Sequence, residues 1–414
     1  MFFSPEYSVA LKRFEIMLKK NLSVYLLIIL LGALFWSRAI LSITVAVWAV
    51  ISFFQIIKEN KSALKSGMFI WSLIPLSLWL LGAWQEPMGK LNFDYFLTLT
   101  GYPAIILIVF ATPKEIIENK WIKIWLWATA LALTYPLFWY LKDFTAAHKS
   151  YGTGQSLPTF MDTDHVRFSI FLCASFLFIL CSNIIQKKLK IIFGVLLFIF
   201  ILFLSVRTGW VLLLSIIFLY VLLNFIKSKQ NNISQLLKGS IILIASITIL
   251  YFAFPNMQQK IAYSIWEYQQ YQPGNYNPNF SDGTRRSIND AAWKWIQTNT
   301  STNTGWQSVP ATLQSAFSKY FIHQTTEFGW PFNQWLYWWM GSGWWGMLLF
   351  SIWLFYPLAK AFQQNNFGII CWTLAIALSC IVETTLNYQY GVLLHVLPLA
   401  ILWKISPTSG SDNS

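Results

Sequence analysis

Residues 203–212 read FLSVRTGWVL. One arginine, Arg207, stands between an apolar run at 191–206 and another at 210–225, and no acidic residue lies close by in sequence. Such runs approach the roughly 17–25 residues with which an apolar helix crosses a bilayer. An arginine between two of them sits at a membrane surface. It is either an anchor whose stem snorkels to the interface or a cation aimed at something negative.

The rest of the chain is built alike. Of its 414 residues 56% are hydrophobic and 11% charged, less than half the charged share of about 25% usual in soluble domains. Apolar stretches recur from end to end, so the composition reads as a polytopic, all-α membrane protein. The N-terminus is polar and basic before the first apolar run and does not read as a cleavable signal peptide. Cys173, Cys181, Cys371 and Cys380 all fall inside apolar runs and read as small buried hydrophobes, without disulfide or metal spacing. No CxxC, HExxH, P-loop or GxGxxG occurs. Most soluble-enzyme chemistries, and ATP-driven transport by this chain alone, are thereby set aside.

About twelve spans are expected: 22–36, 39–57, 67–84, 95–112, 121–141, 166–185, 191–206, 208–226, 239–254, 337–358, 367–384 and 389–404. With the N-terminus cytoplasmic, 18 of the 29 Lys and Arg residues fall on inner segments and six on short outer ones, the other five lying in one long loop. That bias argues for an even number of spans with both termini inside. The net charge of +13 is then mainly a topology signal. Nucleic acid is a poor partner, because the lysines are scattered over many short loops. Residues 4–20, SPEYSVALKRFEIMLKK, suit either a helix lying in the inner interface, with Leu11, Phe14, Met17 and Leu18 on one face, or a solvated basic tail.

Three regions follow: a membrane bundle at 1–254, an outer loop region at 255–336, and the last spans with the tail at 337–414. A loop of more than eighty residues (255–336) is expected to have a function or fold of its own. Within it, Arg285–Thr298 spaces Ile288, Ala292, Trp293 and Ile296 as an amphipathic helix does. The outer side then holds Arg207, Arg285, Arg286, His165, Arg167 and His323. Arginine is a planar fork that matches phosphate oxygens two at a time, and histidine is a base near neutral pH. Each has a plainer alternative. Arg207 could be only an anchor, Arg286 could pair with Asp290 one helical turn on, and Arg167 could pair with Asp162 or Asp164. The ring cluster Trp266, Tyr268, Tyr271 and Tyr276 reads as interfacial or as a platform for sugar faces.

Several short pieces in order resemble one family. They are RTG at Arg207–Gly209, an arginine opening a loop helix in RRSINDAAWKWI (Arg285, with Arg286 second), a turn at NTGWQS around Gly305, and PFNQWLYWWMGSGWWGMLLF from Pro331 to Phe350. DHVRFSIFL adds a further likeness. Together with the topology, these resemble the O-antigen ligase and polymerase superfamily of bacterial lipid-linked glycan transferases, which includes protein O-oligosaccharyltransferases. One departure stands out: where the family has a histidine before the asparagine Asn333, this chain has Phe332.

The resemblance implies a metal-independent membrane glycosyltransferase without cofactor. It would move a glycan from undecaprenyl pyrophosphate to lipid A–core, at the periplasmic face of the bacterial inner membrane. Arg207 and Arg285 would stabilise the leaving pyrophosphate and His323 would take the acceptor's proton. Arg286, Arg167, His165, Asn333 and Trp266 would bind pyrophosphate or glycan. A second lipid-linked glycan as acceptor would make the chain a polymerase, and a protein hydroxyl an oligosaccharyltransferase. A transporter of lipid-linked glycan or anions is the alternative of another class. It would call for charges at mid-membrane depth and paired repeats, neither of which the sequence offers.

Overall fold

The computed structural model describes residues 5–84, 86, 93–153, 155–182, 184–227, 233–272, 275–277, 280–300, 302–321 and 329–406. Among them the chain is all-α, with no strand. The helices are α1 (Pro5–Trp36), α2 (Arg38–Glu59), α3 (Gly67–Ala83), α4 (Phe93–Leu99), α5 (Gly101–Ala111), α6 (Lys114–Ile116), α7 (Ile122–Lys142), α8 (Phe144–Gly152), α9 (His165–Cys181), α10 (Lys187–Phe203), α11 (Arg207–Lys227), α12 (Ile233–Ala253), α13 (Pro255–Gln270), α14 (Ser281–Thr298), α15 (Val309–Tyr320), α16 (Gln334–Gln364), α17 (Phe367–Val382) and α18 (Gln389–Ile405). Each apolar segment read as a span coincides with helix. Five helical stretches are long and apolar enough to cross a membrane: Arg38–Glu59, Phe93–Ala111, Lys114–Lys142, Arg207–Lys227 and Gln334–Gln364. A sixth is added if α12 and α13, bent by 96° at Pro255, count as one.

Helices that are apolar on every side belong inside a bundle. The helix α9 is buried without interruption from Arg167 to Ile179, and α18 from Tyr390 to Leu402. Around them α11 packs on α9 and α17, α18 on α5, and α16 on α17 and α3. The start of α2, α9, α11 and α18 and the end of α1, α3 and α17 meet at one end of the bundle. There Met161 N donates to Phe35 O at 3.2 Å and Arg38 pairs with Asp162 at 2.7 Å. At the other end Lys404 donates to Phe110 O at 3.2 Å and Lys114 to Ser406 O at 3.3 Å.

Two segments differ from their sequence reading. The turn between α10 and α11 is Leu204–Val206, and Arg207 is the first residue of α11 rather than the connector. The segment 337–358, read as one straight span, is bent inside α16. In a straight helix Trp335 and Ser351 would stand about 24 Å apart. Here Trp335 Nε1 donates to Ser351 Oγ at 3.0 Å, and Trp338 stacks on Phe350 with ring centroids 4.9 Å apart. The chain reverses at Gly343, whose φ of 76° and ψ of 178° suit glycine alone. Two other glycines let the arms close. A Cβ on Gly346 would overlap the Ser342 side chain, and one on Gly341 would overlap the Trp306 indole. Asn333 thus enters about 15 Å below the Gly343 tip, ten residues' rise down the first arm.

Candidate functional site

The Arg207 turn is held by side chains from elsewhere. A helix ending at Phe203 leaves carbonyls without intrahelical donors. Leu202 O accepts from Trp210 Nε1 at 3.2 Å, Phe203 O from Asn256 Nδ2, and Leu204 O from the Tyr151 hydroxyl at 3.0 Å. Ser205 takes a left-handed φ of 53° and its hydroxyl accepts from Asn256 at 3.4 Å. Two residues into α11, a Cβ on Gly209 would stand 2.8 Å from Ser169 Cβ. The glycine of RTG therefore lets α11 close on α9. So fixed, Arg207 points at the start of α14. It donates to both oxygens of Asp282, to Ser281 Oγ at 3.2 Å and to Ser264 Oγ at 3.0 Å.

The start of α14 has no cap of its own. Glu267 of α13, 1% exposed, accepts from the backbone N–H of Asp282 and, at 2.9 Å, of Gly283. A carboxylate there also suits the positive end of the helix. Beside it Lys260 is 5% exposed, its Nζ 3.5 Å from Gln155 O. Burial, with the charge of Arg207 next, pushes its pKa down to about 8.

One turn along α14, Arg285 reaches Glu383 at 3.4 Å and lies over the Phe332 ring, 5.2 Å from its centroid. Glu383 is buried at the end of α17, and Arg167 approaches its other oxygen at 3.9 Å. Arg167 is itself buried. It pairs with Asp164 at 2.9 Å, donates to Thr384 O at 3.3 Å, and lies 4.0 Å from the Tyr388 ring centroid. The floor beneath is residues 383–388, packed so tightly on α18 that a Cβ on Gly391 would overlap Thr385. Gln334 ties this floor to α16 through Asn387 Oδ1 at 2.7 Å and Leu386 N at 3.0 Å. Arg167 Nε, Thr384 Oγ1 and Asn387 Nδ2 are buried there without a protein partner, polar capacity left at a charged floor.

Below it, an apolar groove of about 670 Å³ opens between α11, α16 and α17, lined by Phe218, Leu219, Trp335, Phe355, Leu378 and Ile381 among others. Its upper end is Asn333, whose Nδ2 donates to Ile381 O at 3.0 Å, two residues before Glu383.

The structure thus brings Arg207, Arg285, Arg167 and His165 to one end of the bundle. His165 starts α9, 3.4 Å from Thr159 Oγ1. Arg167 takes Asp164 of the two aspartates weighed for it, and Asp162 goes to Arg38. Arg286 lies over Tyr271 at 4.7 Å in place of the pairing with Asp290. Trp266 stands on the outer side of α13, 47% exposed, edge-on to Phe280. His323 lies outside the described residues. Sequence reasoning missed Asp282, Glu267, Lys260 and Glu383 as partners. The arginines read as unopposed because their carboxylates come from 75 residues away for Arg207 and from another helix for Arg285. The one available signal was rarity: 16 acidic residues in the whole chain, with Glu383 beside an apolar run.

Chemically, Arg207, Arg285 and Arg167 are fixed cations, each opposed by a carboxylate, and an apolar groove lies between α11, α16 and α17 at Asn333. Among curated proteins, none matches this chain. Residues 192–351, from α10 into α16, match the family model described as O-Antigen ligase. That stretch holds Arg207, Lys260, Asp282, Arg285 and Asn333, and over it the chain is similar to the O-antigen ligase family.

Proposed function

We propose that the chain is a ligase that moves a glycan from undecaprenyl diphosphate to lipid A–core, with twelve spans, both termini cytoplasmic and the site on the periplasmic side of the inner membrane. The observation that carries this reading is the groove of about 670 Å³ lined by Asn333 and Ile381, the latter two residues before the Glu383 that pairs with Arg285. A prenyl chain entering sideways from the bilayer fits the apolar walls, and its diphosphate would then lie among Arg285, Arg207 and their neighbours.

In the transfer, the acceptor hydroxyl attacks the anomeric carbon. A new C–O bond forms, the bond to the diphosphate oxygen breaks, and undecaprenyl diphosphate leaves with the electron pair. Arg207 and Arg285 are cations held in place before charge develops, the arrangement that lowers such a barrier most. The hydroxyl proton needs an acceptor. His323 is the sequence candidate, and Glu383 is a second, bared as Arg285 turns from it to phosphate. Phe332 cannot take that proton.

The test is a gel separation of surface glycolipid from a deletion strain carrying wild type, Arg207→Ala, Arg285→Ala or His323→Ala. Bare core with long glycan left on the carrier lipid supports the ligase. Core bearing a single repeat makes the chain a polymerase. Unchanged glycolipid in the empty deletion strain would refute glycan transfer and bring the transporter forward.

A further inference from the structure

A transfer between two lipids needs two lipid places. Both heads must meet while both tails stay in the bilayer. The groove between α11, α16 and α17 serves one tail on the reading above. A second apolar slot, of about 110 Å³, lies on the other flank of the α17–α18 pair, between α2, α5 and α18. Its walls include Leu41 and Ala46 of α2, Ala104 of α5 and Leu393 of α18. At its rim Leu97 of α4 is 60% exposed, and Ile43 and Val47 of α2 are exposed as well. A rim of exposed apolar side chains belongs in lipid.

Above the slot the lining turns polar. Ser42 Oγ donates to Gln389 Oε1 at 3.0 Å. One helical turn higher, about 5.4 Å, α2 begins at Arg38. Its guanidinium pairs with Asp162 at 2.7 Å and lies 5.3 Å from the Tyr390 ring centroid, and the Tyr390 hydroxyl donates to Asp162 at 3.3 Å. The paired side chains are 51% and 48% exposed. The turn that presents Asp162 is strained: Met161, Asp162 and Thr163 have φ of 65°, 56° and 62°, left-handed conformations that side chains disfavour. Met161 holds it from below, wholly buried, with its N–H on Phe35 O. Trp36, 66% exposed, flanks it edge-on to Phe160 at 5.2 Å. Such strain persists only where the surroundings impose it, and here it sets a carboxylate, a guanidinium and an exposed indole side by side.

Three residues join this polar mouth to the arginine cluster. Tyr388 lies under Arg167, Gln389 meets Ser42, and Tyr390 holds Asp162. The Cα atoms of Tyr388 and Tyr390 are at most about 7 Å apart. We propose that the slot and the Arg38–Asp162 pair are the acceptor's site, and that the acceptor is an acylated, phosphorylated sugar lipid. One acyl chain lies in the slot, a phosphate meets Arg38, and sugar hydroxyls donate to Asp162 beside Trp36. This rests on the glycan transfer proposed above and adds where its acceptor binds. An apolar slot continuous with a polar mouth fits an amphiphile and not a soluble sugar. Arg38 is a fork for phosphate oxygens, and a half-exposed ion pair yields its partner readily. Asp162, once released, accepts from hydroxyls. The far end of the head then extends across Tyr388 toward Arg167 and Glu383.

The experiment is transfer kinetics of the full chain in proteoliposomes, with a glycan on undecaprenyl diphosphate as donor and lipid A–core as acceptor, each varied in turn. Ala46→Phe fills the slot from an exposed position of α2. It should raise KM for lipid A–core about tenfold, the scale of lost chain burial, and leave donor KM within about twofold. Ser215→Phe, in the groove on the other flank, should do the reverse. Arg38→Gln should raise acceptor KM about tenfold, the loss of one charge-assisted contact, with kcat kept. Acceptor KM within about twofold of wild type in both Ala46→Phe and Arg38→Gln, or equal rises in donor and acceptor KM, overturns the proposal. Should Ala46→Phe not fold, Arg38→Gln decides. If wild type ignores lipid A–core and extends a second lipid-linked glycan, the acylated occupant is refuted. If it transfers glycan to neither, the transfer reading itself falls and takes this one with it.

Discussion

The two arginine–carboxylate sites at one end of the bundle hold charge in different ways. The Arg207–Asp282 pair joins side chains 30% and 49% exposed. Glu383 is 6% exposed and is shared by Arg285, 34% exposed, and Arg167, 5% exposed, so the buried charges are Glu383 and Arg167. A wet pair can lose a partner cheaply, since water takes its place, and such pairs contribute only about 0–1 kcal/mol. A dry one cannot: removing one member leaves charge buried alone, at about 3–5 kcal/mol. On the proposed reading the exposed site exchanges its carboxylate for a substrate. On the same reading Arg285 turns from Glu383 to phosphate while the buried Arg167 stays beside Glu383.

That contrast is most directly broken at Glu383. Glu383→Ala should abolish glycan transfer in proteoliposomes, by at least a hundredfold, and lower the melting temperature in detergent, because two guanidiniums lose their shared partner. Glu383→Gln should recover much of the melting temperature, since an amide oxygen can still accept, but little of the activity. Full activity in the glutamine variant would show that the carboxylate's charge does not matter to the reaction.

Next in size comes the device that sets the depth of Asn333. Gly341 and Gly82 flank the Trp306 indole, whose Nε1 donates to Trp79 O at 2.7 Å. Gly341→Ala must displace that ring or open the hairpin, and overpacking of this kind costs about 1–3 kcal/mol. Thermal unfolding should show the loss. Trp306→Phe in the same background, which removes ring volume, should restore part of it. If the alanine is neutral, the arms of α16 are not closed as described.

At the exposed pair, Asp282→Asn should change stability by less than about 1 kcal/mol. It frees Arg207 from its carboxylate while keeping the shape, so donor KM should stay level or fall. A sharp rise in KM would mean that Asp282 aims Arg207 at the donor rather than competing for it.

Much of the fold was legible because burial in lipid writes itself into long apolar runs. Each segment read as a span meets helix, and among the described residues five or six helical stretches are long and apolar enough to cross a membrane. The α16 hairpin was invisible in the apolar runs. Its two arms together are as apolar as one straight helix, and only the glycines of GSGWWG mark the reversal, a pattern that close helix packing also produces. The site was half legible. Cations show in sequence because they are conspicuous beside apolar runs. Their partners do not, because Asp282 meets Arg207, and Glu383 meets Arg285, only through tertiary contact. Lys260 was passed over as one more loop lysine, since nothing local in NMQQKIAYSIWEYQQ tells which side of the helix is buried.

The adjacent arginines of α14 offer the finest comparison. Both were candidates for the phosphate contact from sequence, Arg285 first. Neighbours on a helix point about 100° apart, so the fold can give only one of them to the site. Arg285 turns to Glu383 and Phe332, and Arg286 turns to Tyr271. A cation over an exposed ring contributes about 0.5–1 kcal/mol. Arg286→Ala should therefore shift melting slightly and leave donor KM and kcat within about twofold, whereas Arg285→Ala should lower kcat by at least about a hundredfold, the scale of removing one preorganised charge partner. Equal losses in the two variants would mean that the start of α14 turns on its axis when substrate binds.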